Sequence, residues 1–416
     1  MTRYDRPQAT VAQSPVHLAP GRPAAIFRNL LPQRCTAGQL TIRLPSHDEI
    51  VCASPDPGPH AHIDIRRWRG LRRIALGGNL GFAQAFIDGD CACGDLHSLF
   101  AWALANDSVV SRFGSGSALL RWLARQLHRM NANTPRGSRR NIAAHYDLGN
   151  EFYEKWLDAG MNYSSALYTC DHDASLEAAQ TAKLDRVIEL LDLQGSERVL
   201  EIGCGWGSLA ERLLARPVAS ITALTLSQRQ LEFTRRRLAR AHEAGRADVR
   251  LQDYRHVEGA YERIASIEML EAVGQRYWPL YFDTLRHRLV PGGIAVLQVI
   301  TIRPDRFDAY ARDPDFIQRY IFPGGMLPTV PILKQQIANA GLELASMENF
   351  GQSYARTLTE WQSRFLSAWP QLQVIGFDER FQRMWTYYFT YCVAGFQAGE
   401  LDVGLYRIER PKLSAD

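Results

Sequence analysis

From residue 185 onward, short apolar runs alternate with stretches of helical spacing. RVLEI (198–202) runs into GCGWG and the helical SLAERLLA. SITALTL (220–226) leads to Ser227, whose hydroxyl suits the cap of a long Arg-rich helix. VRLQD, RIASIEM and GIAVLQVIT are three further apolar runs with helical segments between them, and PGG at 291–293 reads as a turn feeding the last. Such alternation predicts an α/β fold, a doubly wound and mostly parallel sheet whose ligand sits at the carboxyl ends of the strands. The first ~105 residues follow another rhythm. TIRLP and IVCAS read as short strands, IDIRRWRGLRRIALGG adds strand and turn signals, and GFAQAFIDGD begins a helical pattern. Residues 1–25 and 53–60 are Pro-rich and read as an arm and a loop. This half is predicted to be a small α+β domain.

Between the halves, SALLRWLARQLHRM (117–130) places Leu120, Leu123, Leu127 and Met130 on one helical face, with Arg121, Arg125 and Arg129 as a stripe and Trp122 suited to a water–lipid boundary. It can pack between domains or lie on an anionic bilayer. NANTPRGSRRN reads as a linker, which gives an N-terminal domain over 1–135 and a second over 140–416.

Charge sharpens this division. Residues 1–140 hold 18 Arg, no Lys and 9 acidic groups, a net +9, whereas the remainder carries −5. A basic half joined to an acidic half points to an anionic surface, phospholipid or nucleic acid, as partner. No apolar run approaches the roughly 18–20 residues that span a bilayer, and the first thirty residues carry no signal-type apolar core. The seven cysteines are scattered, and Cys91 with Cys93 is poor zinc spacing, so no metal site is expected and free thiols in a reducing cytoplasm are.

Gly203, Gly205 and Gly207 follow a strand directly and open a helix, the context in which bare backbone approaches a nucleotide-type ligand. Glu201 precedes them within E-x-G-x-G-x-G, where a carboxylate can meet a charged methionyl group but would repel a pyrophosphate. The second strand ends in Thr225 rather than the acid expected of a dinucleotide site. Both features favour S-adenosylmethionine over NAD.

Longer motifs extend this. HYDLGNEFY (145–153), MNYSSALY (161–168), VLEIGCGWG (199–207), LTLSQRQ (224–230), SIEMLEAVG (266–274), YIFPGGMLP (320–328) and TYYFTYC (386–392) together resemble the cyclopropane-fatty-acyl-phospholipid synthases and mycolic-acid methyltransferases. The resemblance covers roughly residues 140–410, and the basic N-terminal half is similar to the lipid-associated domain of the bacterial phospholipid enzymes. It implies a Rossmann-like class I methyltransferase fold with helical lid insertions. It also implies that Tyr163, Ser164, the 199–207 loop, Thr225 and Gln230 contact S-adenosylmethionine, that Asp253 and Tyr254 lie near the adenine, and that HYDLGN frames the pocket entrance.

The family methylates an isolated double bond in a phospholipid acyl chain. An alkene is a weak nucleophile, so catalysis must come from alignment in a dry channel. The cation that follows is one that aromatic faces stabilise, and Tyr354, Phe322, Tyr387, Tyr388 and Trp385 are candidates. A base then removes a proton from the new methyl group. In the family this is a bicarbonate held by a Cys, a Glu, a His, a Tyr and a second Cys. Glu271, Tyr354 and Cys392 match that set here, while Ser165 replaces the first Cys, Gln298 the His, and Ala272 follows Glu271. Ser and Gln donate hydrogen bonds but supply no imidazolium charge.

The resemblance implies an S-adenosylmethionine-dependent C-methyltransferase with cyclopropanation as the leading outcome. Ser165, Gln298 and Ala272 motivate a non-cyclising fatty-acyl methyltransferase as the alternative, and a non-catalytic lipid- or cofactor-binding protein is the reading from another class. No N-P-P-Y-like or Pro-Cys motif supports a nucleic-acid substrate. The expected partner is unsaturated phospholipid at the inner membrane face, bound peripherally, with a homodimer left open.

Overall fold

The computed structural model describes residues 35–114, 148–169 and 174–412. The amphipathic segment 117–130 with its Arg121, Arg125 and Arg129 stripe, and the whole of the linker 131–141, lie outside the described residues.

In the N-terminal part, β1 (Gln39–Arg43) pairs antiparallel with β2 (Glu49–Ala53) and parallel with β3 (His60–Ile65), which pairs antiparallel with the short β4 (Cys91–Cys93). Alternation decides the faces. Leu40, Ile42, Ile50, Cys52 and Ile63 point inward and are buried, while Val51 is exposed. The strand and turn signals over 66–78 resolve differently from the expectation. Helix α1 (Trp68–Ile87) begins there and runs across a break at Gly78, whose φ of 56° and ψ of −134° suit only glycine at low cost. The Gly77–Gly78 signal is therefore a kink inside a helix. A Cβ on Gly81 would lie 2.0 Å from the Arg73 carbonyl, so the two halves close on each other only through glycine. Helices α2 (Leu96–Ala105) and α3 (Asp107–Gly114) complete this part, α2 capped by Asp95, which accepts from the His97 N–H at 2.9 Å.

The second part is built on a seven-stranded sheet. Between α4 (Leu176–Leu191) and the C-terminus come β5 (Arg198–Ile202), α5 (Ser208–Leu214), β6 (Ser220–Thr225), α6 (Gln228–Arg237), β7 (Ala247–Leu251), β8 (Tyr261–Ile267), α7 (Trp278–Arg288), β9 (Leu289–Ile302), β10 (Glu343–Asn349), α8 (Gly351–Ser367), α9 (Glu379–Gln397) and β11 (Leu401–Glu409). The strand order is β10-β11-β9-β8-β5-β6-β7. Neighbours from β9 to β7 run parallel, whereas β11 is antiparallel to both β9 and β10. This is the doubly wound, mostly parallel α/β architecture, Rossmann-like, with helical insertions. The antiparallel pair was not read from the apolar runs, because β10 shows no buried position along its length. PGG does not precede β9 but lies within it, with Gly292 at a φ of 77°. Ser227 caps α6, its hydroxyl accepting from the Gln230 N–H at 3.3 Å.

Helix α9 joins the two parts. Its Arg380 pairs with Asp88 at 2.8 Å, and its Arg383 donates to the Ile87 carbonyl at 2.8 Å. Between them Phe100 meets Tyr387 edge-on at 5.1 Å between ring centres, and Phe316 meets Tyr387 at 4.5 Å.

Candidate active site

The β5–α5 turn carries three glycines in the left-handed region, with φ of 83°, 52° and 84° at Gly203, Gly205 and Gly207. The Gly203 and Cys204 N–H groups donate to the Leu224 carbonyl at 3.0 and 2.8 Å, which ties the loop to β6. The glycines serve different ends. A Cβ at Gly205 would meet nothing within 4 Å among the described residues, whereas one at Gly207 would lie 2.6 Å from the Thr234 methyl. Gly205 offers bare backbone to a ligand; Gly207 lets α5 pack on α6.

One continuous cavity of about 1230 Å³ runs from this loop into the N-terminal part. Near the loop it is lined by Tyr163, Ser164, Glu201, Gly203, Gly205, Thr225, Gln230 and Tyr254. Gly207 and Asp253, assigned to the cofactor from the resemblance, do not line it. Asp253 accepts from Arg255 at 2.8 and 2.6 Å with both side chains nearly buried, so its carboxylate is spent on an internal ion pair. Burial works to raise its pKa, but the Arg255 pair holds it below the ordinary value. Thr225 donates to the Gln230 side chain at 2.8 Å, and the Tyr163 and Tyr388 hydroxyls meet at 3.1 Å. HYDLGN does not frame this cavity within the described residues: His145 to Asp147 lie outside them, and Asn150 accepts from the Trp206 indole at 2.9 Å.

Two ionisable groups, Glu201 and Lys183, are buried beside the loop. Glu201 is pushed up to about 8 by burial, partly countered by Lys183, and its Oε2 has no hydrogen-bond partner among the described residues. Lys183 is pulled down to about 8 by burial, against the opposing charges of Glu268, Asp158 and Glu201, and donates to the Ser164 hydroxyl at 2.6 Å. The Glu201 oxygen, the open face of Gly205 and the buried Tyr254 hydroxyl, which also has no partner among the described residues, are the features that an amino-acid and nucleoside ligand would engage. These residues fit S-adenosylmethionine.

Deeper in the cavity stand Glu268, Glu271, Tyr354 and Cys392, with Phe322, Tyr387 and Tyr388 on the walls. Trp385 does not reach it. Its ring packs against Phe152 at 4.8 Å and Trp156 at 5.6 Å in the aromatic core. Three of the five residues assigned to bicarbonate, Ser165, Gln298 and Tyr354, are arranged around a residue that sequence reasoning passed over. Glu268 accepts at Oε1 from the Ser165 backbone N–H (2.8 Å) and the Gln298 amide (2.7 Å), and at Oε2 from the Tyr354 hydroxyl (2.7 Å). Ser165 and Gln298 are fully buried and do not line the cavity, so Glu268 stands in front of them. Glu271 makes no bond to this set; its Oε1 accepts from the Ile300 N–H at 2.5 Å and its Oε2 has no partner among the described residues. Burial first and the Glu268 charge second push Glu271 up to about 8, which leaves it mostly protonated at neutral pH. Cys392 is also raised, by burial and then by Asp315. The donors to Glu268 are already engaged, so the residues present do not fit a bicarbonate. Glu268 was legible as an acid directly after a strand end, where ligands of such sheets bind; Lys183 carried no signal.

The mycolic acid cyclopropane synthetase family model matches residues 133–405. The chain belongs to this family. Tuberculostearic acid methyltransferase UfaA1 of Mycobacterium tuberculosis is 38% identical over 91% of this chain and 90% of its own. The cyclopropane-fatty-acyl-phospholipid synthase of Escherichia coli K12 is 35% identical, over 82% and 86%. Among solved structures, mycolic acid cyclopropane synthase CmaA1 complexed with SAH and CTAB superposes with a TM-score of 0.60 at 27% identity, covering 65% of this chain and 98% of that one. As a member of the mycolic acid cyclopropane synthetase family, the protein is an S-adenosylmethionine-dependent methyltransferase. Among the described residues no helix is long and apolar enough to cross a membrane, and no cluster of His, Cys, Asp and Glu is suited to a metal ion.

Proposed function

We propose that the protein methylates the double bond of an unsaturated acyl chain carried by a phospholipid, forming a cyclopropane. The observation that carries this reading is the continuity of the cavity: its far wall is the apolar inner face of β1–β3 and its near end is the glycine loop. A hydrocarbon chain fits such a passage, and a water-soluble acceptor does not. Bound S-adenosylmethionine supplies an electrophilic methyl group. The chain's own residues exclude water, align the olefin, and surround it with Tyr354, Phe322, Tyr387 and Tyr388, whose ring faces favour a cation.

A second reading, an open-chain methylene branch, is favoured by one observation: three of the five residues assigned to bicarbonate, Ser165, Gln298 and Tyr354, already donate to Glu268. The test is to incubate purified protein with cofactor and vesicles of an unsaturated phospholipid, then analyse the extracted lipid. Gain of one CH2 with loss of the double bond and ring protons in the NMR spectrum supports the first reading. Exocyclic methylene protons support the second. Unchanged lipid with intact cofactor binding supports the non-catalytic reading. Peripheral docking on an anionic membrane is proposed from the +9 N-terminal stretch. Charge reversal at Arg121, Arg125 and Arg129 is expected to weaken vesicle binding in a salt-sensitive way, and unchanged binding would refute a role for that stripe.

A further inference from the structure

The hydrogen bonds around Glu268 converge on one carboxylate from three separate elements. Ser165 belongs to the segment preceding α4, Gln298 to β9 and Tyr354 to α8, and each directs a donor at this side chain. The backbone of Glu268 is held at a φ of 49°, a left-handed conformation that non-glycine residues rarely keep unless their surroundings enforce it. Its own N–H donates to the Gln298 carbonyl at 2.8 Å, so β9 fixes both ends of the residue. A carboxylate with this many donors, in a strained backbone, at the strand end where the ligand binds, is built for more than packing. It also lines the cavity, whereas Ser165 and Gln298 behind it do not.

We propose that Glu268 is the proton acceptor of the reaction, a carboxylate supplied by the chain itself, so that this enzyme works without bicarbonate. The inference rests on the functional reading above. In the step it serves, the alkene π pair bonds the incoming methyl carbon while the carbon–sulfur pair stays on sulfur, leaving a cation on the other alkene carbon. A C–H bond of the new methyl group then breaks. Its electron pair closes the three-membered ring, and its proton goes to the Glu268 carboxylate. If hydride first shifts to the neighbouring cation, the same pair forms an exocyclic double bond and the same carboxylate takes the proton. Neither outcome needs an oxidant or a reductant, and both yield isomers of one mass. A saturated methyl branch would need a hydride donor and is not proposed.

Tyr354 and the Ser165 and Gln298 donors keep Glu268 oriented as a base. Burial raises the Glu268 carboxyl above its usual range, and the Ser165, Tyr354 and Gln298 donors and the Lys183 charge work against that rise. Glu271, largely protonated, adds no second negative charge beside the first.

Two experiments test this independently. The first needs no turnover. Carbon-13 bicarbonate is titrated into the wild-type protein and into Glu268→Gly and followed by NMR line broadening. Glycine suits the left-handed backbone at 268 and vacates the anion position, so the variant is expected to bind bicarbonate and the wild type is not. Specific bicarbonate binding by the wild type would overturn the proposal. The second measures methyl transfer in carbonate-free buffer. Wild-type activity is expected to persist unchanged. Glu268→Gln is expected to lose about 10²–10⁴-fold in turnover, the usual contribution of a positioned base, with S-adenosylhomocysteine affinity retained. Glu268→Gly is expected to be inactive until bicarbonate or formate is added. Full activity of Glu268→Gln, or wild-type dependence on bicarbonate, would refute Glu268 as the base. If the wild type methylates no unsaturated lipid at all, the functional reading falls and the role as base with it, whereas the binding comparison still decides whether Glu268 fills the anion position.

Discussion

Gly205 and Gly207 sit two residues apart in one loop, yet alanine at the two positions is expected to do opposite things. Both have positive φ, so either substitution places a Cβ in the left-handed region at a cost of about 1–2 kcal/mol. At Gly205 the cost ends there, because the added methyl meets no atom of the described residues within 4 Å. It projects instead into the cavity that Gly205 lines. At Gly207 the added Cβ would lie 2.6 Å from the Thr234 Cγ2, and overpacking a close contact adds about 1–3 kcal/mol. Gly205→Ala is therefore expected to lose only this backbone cost of about 1–2 kcal/mol in stability but much of its affinity for S-adenosylhomocysteine. Gly207→Ala is expected to lose stability first. The source of the second penalty can be isolated with Thr234→Ser, which deletes Cγ2 but keeps the hydroxyl that donates to the Gly205 carbonyl at 3.2 Å. In that background Gly207→Ala should recover about 1–2 kcal/mol, within the range of coupling measured for touching residues. The assay is a double-mutant cycle in chemical denaturation, with calorimetric titration of S-adenosylhomocysteine on each variant. Wild-type affinity in Gly205→Ala would show that the cofactor does not lie on that face of the loop. Absence of coupling between 207 and 234 would show that the strain is backbone alone.

Three further outcomes are expected. The folded pKa of Glu271 lies near 8, above the unfolded value, so its contribution to stability is complete at low pH and is lost as pH rises from about 4.5 through 8; Glu271→Gln, which keeps an acceptor for the Ile300 N–H, should grow more stable relative to wild type over that window, and a parallel pair of melting curves would refute it. Asp253→Ala removes the carboxylate to which Arg255 donates twice, which should lower stability in denaturation with S-adenosylhomocysteine affinity little changed; a larger loss of binding than of stability would return Asp253 to the cofactor site. Ile63→Trp, filling the far wall of the cavity, should shift the lipids modified toward shorter acyl chains in competition assays on mixed vesicles; an unchanged product distribution would place the chain elsewhere.

How far the sequence carries depends on whether a feature is local. The parallel strands were legible because each is a short apolar run buried on both faces, and the glycine loop because its residues are consecutive. The Gly77–Gly78 signal misled because the same residue type serves both turns and helix kinks, and only the close approach of Gly81 to the Arg73 carbonyl across the break decides which. β10 and β11 were hidden because strand pairing, rather than an apolar period, holds an edge strand such as β10 in place. Asp253 looked like a ligand residue by position, but its neighbour Arg255 takes both oxygens.

What the chain's letters determined alone is therefore the family, the layered α/β plan and the presence of a nucleotide-type loop, each written in a contiguous stretch. Only the folded molecule decided which acid stands at the centre of the anion-binding groups, because Ser165, Glu268, Gln298 and Tyr354 are brought together across nearly 190 positions by a fold that no local pattern records. Only it decided that the N-terminal sheet is a wall of the same cavity, since a hydrophobic face on a strand is equally consistent with core and with tunnel. Hydrogen-bond direction and shared empty volume are properties of three-dimensional neighbours, and a one-dimensional string carries them only after it has folded.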